Sequence, residues 1–186
     1  MQSGTPFGLA GLLGLMGLIG CWSNPYDQPH QEDRSKTAPT QADLIAFHRQ
    51  RAAEIDSLMA SKASSWEGRE ETGTGIRLEW LNRNTQAARV SDLPKGTVLE
   101  LHHRFTLLDD RVITAWPNGG PIAFELNATD LPSGFHEVIG AAHLGDSVRA
   151  LIPPSRAWGM TGLPPEIPQE AIIYVEMGID LYRVSK

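Results

Sequence analysis

The stretch that decides the fold is I-P-P-S-R-A-W-G, at Ile152–Gly159. A strand-like segment, Ser147–Ile152, runs into it, and a longer one, Ile172–Val184, follows it. In the longer segment large apolar residues occupy every other position, at Ile173, Val175, Met177 and Ile179. This alternation is typical of a strand with one buried face. We therefore expect two neighbouring strands joined by a loop that carries Trp158.

Three further segments have the pattern of strands: Ile76–Leu81, Val98–Leu107 and Pro121–Leu126. One segment, Ser133–Ala142, has helical spacing of its apolar residues, and the turn signal Gly145-Asp146 follows it. Several antiparallel strands with one short helix predict an α+β domain. In this fold class a curved antiparallel sheet wraps around the helix.

An additional helix is predicted ahead of the sheet, over Gln41–Ser64. Its apolar residues fall near one face: Leu44, Phe47, Ile55 and Leu58, flanked by Ile45 and Met59. Thr40 is a plausible N-cap, with Asp43 as its capping-box partner. Two interpretations stay open: the helix packs on its own domain or remains solvated, or it binds a second copy or another protein.

The beginning of the chain resembles a bacterial lipoprotein signal. The apolar run Phe7–Gly20 is too short to cross a bilayer, and Leu18-Ile19-Gly20-Cys21 resembles a lipobox. No Lys or Arg precedes the run, which departs from this pattern. We expect processing to remove residues 1–20 and Cys21 to carry the lipid. The predicted order is then a tether over 21–40, the helix over 41–64, a lead-in loop and strand over 65–97, and a domain over 98–186.

Composition excludes several classes of function. The net charge of −6 argues against a nucleic-acid partner, since phosphate binding favours a basic surface. The single cysteine permits neither an internal disulfide nor a cysteine-based metal site. The six histidines show no metal-ligand spacing, and the adjacent His102 and His103 point to opposite faces of a strand. We predict no metal and no cofactor.

The chain reads L-E-L-H-H-R-F at 99–105, L-L-D-D at 107–110, G-F at 134–135, L-G at 144–145, I-P-P-S-R-A-W-G at 152–159 and I-P-Q-E-A-I-I-Y-V-E-M-G-I at 167–179. These six segments, in this order and at nearly the family's spacing, resemble the FKBP-type peptidyl-prolyl isomerase domain. The resemblance covers about Val98–Val184. A helix and lead-in strand ahead of such a domain are also similar to FKBP lipoproteins of gliding Bacteroidota.

The resemblance implies an apolar substrate pocket without a covalent catalytic residue. Its implied members are His103, Ile113, Ile122, Leu131, Pro132, Phe135, Trp158, Leu163, Ile167 and Val175. His103 stands where the family usually has Tyr, and Thr114 where it usually has Asp. Pro132 aligns with the residue whose N–H binds the substrate carbonyl, and proline has no N–H. Either an insertion makes Leu131 the donor, or the donor is missing.

The implied activity is cis-trans isomerisation of X-Pro bonds in cell-envelope proteins as they fold. The partners would be proline-containing polypeptide segments and, through the lipid, a membrane, expected to be the outer membrane facing the periplasm. The alternative is a non-catalytic FKBP-fold chaperone or accessory subunit. Its partner would be an outer-membrane protein of a gliding or secretion assembly.

Overall fold

The computed structural model describes residues 38–115 and 118–182. The predicted signal segment, Cys21 and nearly all of the predicted tether lie outside these residues. Two α-helices and seven strands form in the order α1 (Gln41–Lys62), β1 (Glu70–Glu71), β2 (Arg77–Asn82), β3 (Val98–Leu107), β4 (Val112–Ala115), β5 (Ile122–Glu125), α2 (Ser133–Gly140), β6 (Ser147–Ile152) and β7 (Ile173–Leu181). Short 3-10 turns occupy Val90–Asp92 and Pro154–Arg156.

All seven strands belong to one antiparallel sheet, in the order β1-β2-β6-β7-β3-β4. The first half of β3 also pairs with β5, with Leu101 opposite Ile122, while its second half pairs with β4. The sheet and the short helix α2 confirm the predicted α+β architecture. The sequence had not predicted β1 or β4, each of four residues or fewer.

The inner face of the sheet packs against α2. Alternate residues of β3 and β7 point inward and are buried, with Phe105 directly opposite Val175 in the register. Phe135, Val138 and Ile139 of α2 are fully buried against them. A Cβ on Gly134 would lie 2.5 Å from the Ile152 side chain and 2.7 Å from the Arg156 carbonyl oxygen. Glycine at this position therefore lets α2 approach the end of β6 closely.

The outer face of the sheet is partly covered by α1, whose predicted cap is confirmed. The Thr40 hydroxyl accepts the Asp43 N–H at 3.2 Å, and the Asp43 carboxylate accepts the Thr40 N–H at 2.9 Å. Met59 and Ala63 are buried against Leu151 and Ile172, which belong to the sheet side of this contact. No helix among the described residues is long and apolar enough to cross a bilayer.

The predicted apolar face of α1 packs only in part. Leu44, Phe47 and Leu58 are exposed, and Phe47 is 58% exposed, whereas Ile55 and Met59 pack toward the sheet. Ion pairs take part in the attachment: buried Arg77 of β2 binds the Asp56 carboxylate at 2.6 Å and its carbonyl at 2.7 Å. The predicted alternation in β2 missed this burial, because Arg77 becomes covered only by α1.

Candidate substrate-binding pocket

A row of aromatic rings crosses the inner side of the domain. His103 lies 4.8 Å from Phe105, Phe105 lies 5.0 Å from Phe135, and Phe135 lies 5.5 Å from Trp158, measured between ring centroids. The last two contacts are edge-to-face, the arrangement that aromatic quadrupoles favour. The row connects β3, α2 and the loop after β6, and the three inner rings are buried while Trp158 is partly exposed.

Most of the predicted pocket residues lie in the core that contains this row or pack against that core. Phe135, Ile167 and Val175 belong to the buried core around α2, and Ile113, Ile122, Leu131 and Trp158 are partly buried against that core. Pro132 occupies the N-cap position of α2, one turn before the ring of Phe135. Leu163 differs from the others because it is 50% exposed. These side chains give the row an apolar surround with one accessible side.

The loop after β6 holds Trp158 and Ile167 in fixed positions. The Gly159 N–H donates to the Pro154 carbonyl at 2.9 Å, and Leu163 and Ile167 exchange two backbone hydrogen bonds of 2.9 Å. Gly162 has φ +64°, and any Cβ there would collide with the Ile167 carbonyl. Backbone hydrogen bonds within the loop therefore hold its shape.

Two departures from the family pattern, His103 and Thr114, contact each other. The His103 Nε2 and the Thr114 hydroxyl are 3.2 Å apart, and Nδ1 is 3.4 Å from the Leu101 carbonyl. A carbonyl only accepts, so Nδ1 carries the proton and Nε2 accepts from Thr114. Burial lowers the pKa of His103, the hydrogen bond to the Leu101 carbonyl opposes this effect, and the electrostatic influence of the neighbouring His102 adds to it. The pair therefore places a neutral imidazole at the end of the row.

The backbone at Leu131–Pro132 offers no free N–H in this conformation. Pro132 has none, and the Leu131 N–H donates to the Thr129 carbonyl at 2.8 Å. The Phe135 N–H also has a partner, because it donates to the Pro132 carbonyl at 3.0 Å. The sequence left open whether Leu131 supplies the donor, and in this conformation its N–H already has a partner within the loop.

Sequence reasoning missed Phe105, the residue that joins the two halves of the row. The signal was present: Phe105 lies two positions after His103 in a strand, and alternate residues share a face. The indole N–H of Trp158 makes no hydrogen bond within residues 38–115 and 118–182. It is therefore a donor available at the accessible end of the row.

The arrangement suits binding of an apolar, ring-shaped group more than covalent chemistry. Aromatic and aliphatic walls exclude water, and the polar groups at the rim are few: the Thr114 hydroxyl and the Trp158 indole N–H. Among the described residues, no group of three or more His, Cys, Asp or Glu side chains is placed to hold a metal ion. A curved sheet wrapped on one short helix, with a row of aromatic side chains between them, resembles the architecture of FKBP-type domains.

Comparison with known proteins supports that class. Residues 91–177 match the family model described as FKBP-type peptidyl-prolyl cis-trans isomerase. This part of the chain is thus similar to FKBP-type domains. The chain is 27% identical over 82 residues to the peptidyl-prolyl cis-trans isomerase FKBP11 of Bos taurus and 31% identical over 80 residues to FKBP15-1 of Arabidopsis thaliana. These alignments cover 44% and 42% of this chain.

The chain spans only 40% and 52% of the length of these two relatives. Among solved structures, a peptidyl-prolyl cis-trans isomerase of Pseudomonas syringae pv. tomato has a TM-score of 0.57 at 22% identity, covering 72% of this chain and 92% of that one. FkpA of Escherichia coli has a TM-score of 0.54 at 17% identity, covering 80% and 75%. At these identities the likeness concerns the fold.

Proposed function

We propose that this protein is a peptidyl-prolyl cis-trans isomerase whose substrate proline enters the aromatic row beside Phe135. The observation that carries the proposal is the buried ring of Phe135, edge-on to both Phe105 and Trp158, in a domain that matches the isomerase family model. Proline is the one residue whose ring and tertiary amide fit such a pocket while keeping both isomers populated.

The chemistry requires no nucleophile. Rotation about a peptide bond has a barrier of about 18–20 kcal/mol because resonance must be broken. A water-excluding pocket lowers that barrier when it binds the twisted amide better than either planar isomer. Phe135, Ile167 and Val175 form the buried apolar base of the proposed proline site, and the Trp158 indole N–H is a donor for a substrate carbonyl.

The test is the cis-to-trans exchange rate of a short X-Pro peptide, measured with wild type and two matched tryptophan variants. We expect Trp158→Leu to reduce kcat/KM by at least about tenfold, since it removes a pocket wall. The control is Trp66→Leu: Trp66 is more deeply buried, but it packs against Tyr174 on the outer face of the sheet. We expect this control to lose stability and keep its rate. An exchange rate with the wild-type protein equal to the uncatalysed rate would refute the proposed isomerase activity.

The cell-envelope role is part of the same proposal. Leu18-Ile19-Gly20-Cys21 supports lipidation of Cys21, which would hold the protein at a membrane, with proline-containing envelope proteins as its clients. The expected setting is the outer membrane, facing the periplasm. Mass spectrometry of the mature protein tests the anchor: an acylated Cys21 at the N-terminus is expected, and a mature chain that begins elsewhere overturns it.

A second candidate function is a non-catalytic FKBP-fold chaperone or accessory subunit that binds an outer-membrane partner. It is favoured by Pro132, which lacks an N–H, by the occupied N–H of Leu131, and by Thr114 in place of the usual acid. Measuring peptide binding and the exchange rate in the same sample distinguishes the two functions. A proline-containing peptide that binds at the row without exchanging faster than in buffer supports this second function.

A further inference from the structure

The loop between β5 and α2 is organised around His136. The Asn127 N–H donates to His136 Nδ1 at 3.0 Å, and Nε2 lies 3.0 Å from the Thr129 carbonyl oxygen. An amide N–H only donates and a carbonyl only accepts, so the neutral imidazole with its proton on Nε2 satisfies both contacts. The ring also packs against Phe124, with 4.8 Å between centroids. His136 directly follows Phe135, so the same turn of α2 carries the Phe135 ring of the row and the imidazole that binds Asn127 and Thr129.

The Thr129 carbonyl has two donors. His136 Nε2–H reaches it at 3.0 Å, and the Leu131 N–H reaches it at 2.8 Å. A bond between residues two apart closes a γ-turn, in which the N–H and the carbonyl are poorly aligned. Hydrogen bonds weaken as that alignment worsens. Of the two bonds, the one from Leu131 is therefore the more easily opened.

Thr129 itself is firmly held. Its N–H donates to the Glu125 carbonyl at 3.0 Å, and its hydroxyl accepts the Glu125 N–H at 2.7 Å. If the loop opens at the γ-turn, the residue that moves is thus Leu131. Opening then frees the Leu131 N–H at the pocket rim, next to Pro132, while the Thr129 carbonyl keeps its bond to His136.

We propose that His136 is a positioning residue that makes the Leu131 N–H available to the carbonyl of a bound X-Pro peptide. The Thr129 carbonyl is partly buried, and losing both of its donors there is unfavourable, so without His136 the Leu131 N–H would be retained by Thr129. With His136 in place, the Leu131 N–H can leave the Thr129 carbonyl for the peptide carbonyl, and the Thr129 carbonyl still accepts the His136 Nε2–H. The inference rests on the proposed isomerase function, because it concerns how that pocket binds its substrate.

The first test is an NMR titration of the wild-type protein with a tetrapeptide that contains a Leu-Pro bond. We expect the Leu131 amide proton to shift at saturation, as its partner changes from the Thr129 carbonyl to the peptide. The His136 Nε2 proton should stay hydrogen-bonded. A shift of the Ser133 amide with an unchanged Leu131 amide would overturn the proposal, since the donor would then be the first residue of α2.

The second test compares His136→Gln with His136→Asn. A Gln side chain places an amide N–H near the position of Nε2, whereas Asn reaches only the position of Nδ1. We expect Gln to keep kcat/KM within about threefold of wild type and Asn to lose about tenfold, the worth of one hydrogen bond. Equal losses in two variants with the same melting temperature would contradict a role for the Thr129 bond.

The two tests also separate this inference from the proposed function. An active wild type whose Leu131 amide does not respond to saturating peptide overturns the inference and leaves the isomerase standing. An inactive protein whose bound peptide still shifts the Leu131 amide overturns the activity and supports the donor assignment for peptide binding.

Discussion

The two sides of the pocket are built by different means. On one side Phe135, Trp158, Ile167 and Val175 are apolar and packed in or against the core. On the other side His103 is hydrogen-bonded to Thr114, and the Leu131 N–H is hydrogen-bonded to the Thr129 carbonyl just before Pro132. Packing on the first side sets the fold, whereas the second side decides which polar groups meet the substrate. A chain can therefore keep the fold of a family while its pocket carries different polar groups.

The largest effect is expected on the packed side. Replacing Phe135 by Ala removes a fully buried ring from contact with Phe105 and Trp158. We expect the free energy of unfolding to fall by about 3–5 kcal/mol, measured by urea denaturation. The matched control is Phe47→Ala, at the exposed start of α1, for which a change within about 0.5 kcal/mol is expected. Similar losses for both would contradict the assigned core.

On the hydrogen-bonded side a smaller loss is expected. Thr114→Val keeps the size of the side chain but removes the hydroxyl that donates to His103 Nε2. The imidazole acceptor is then left unpaired, which costs about 1–3 kcal/mol. The same denaturation experiment measures it. An unchanged unfolding free energy would mean that the pair does not contribute to stability.

The pH dependence of stability tests the state of His103. Burial lowers its pKa below the ordinary value of 6.5, so the unfolded chain takes up this proton more readily than the folded protein. The free energy of unfolding should therefore decrease as the pH falls through 6.5 toward the folded-state pKa. His103→Gln should flatten the slope between pH 7.5 and 5.5. Equal slopes in variant and wild type would exclude His103 as the cause.

The smallest effect is expected at Pro132. Pro132→Ala adds an N–H where the family usually has its donor. Because Leu131 is assigned that role here, kcat/KM should change by less than about threefold, a fraction of one hydrogen bond. A gain of tenfold or more in the exchange assay would show instead that wild type lacks a working donor.

The sequence was most informative where periodicity and caps act locally. The alternation at Ile173–Ile179 located β7, the spacing of Phe135, Val138 and Ile139 located α2, and Thr40 with Asp43 located the start of α1. Such signals depend on neighbours in the chain, so they survive without knowledge of the tertiary fold.

The remainder depended on contacts between distant segments. The four residues of β4 are too few for a clear period, and their partner is β3. Arg77 is buried only because α1 covers it, and the hydrogen bond from the Leu131 N–H depends on the turn that begins at Thr129. The pocket residues implied by the resemblance could be named from the sequence, but the His103–Thr114 contact and the position of Phe105 became visible only in three dimensions.

The central claim is that the substrate proline binds in the aromatic row. The most direct measurement is a set of intermolecular nuclear Overhauser effects between the prolyl ring of an X-Pro peptide and the protein. The account predicts contacts from the prolyl ring to the rings of Phe135 and Trp158. Contacts confined to the outer face, near α1 or Trp66, would contradict it.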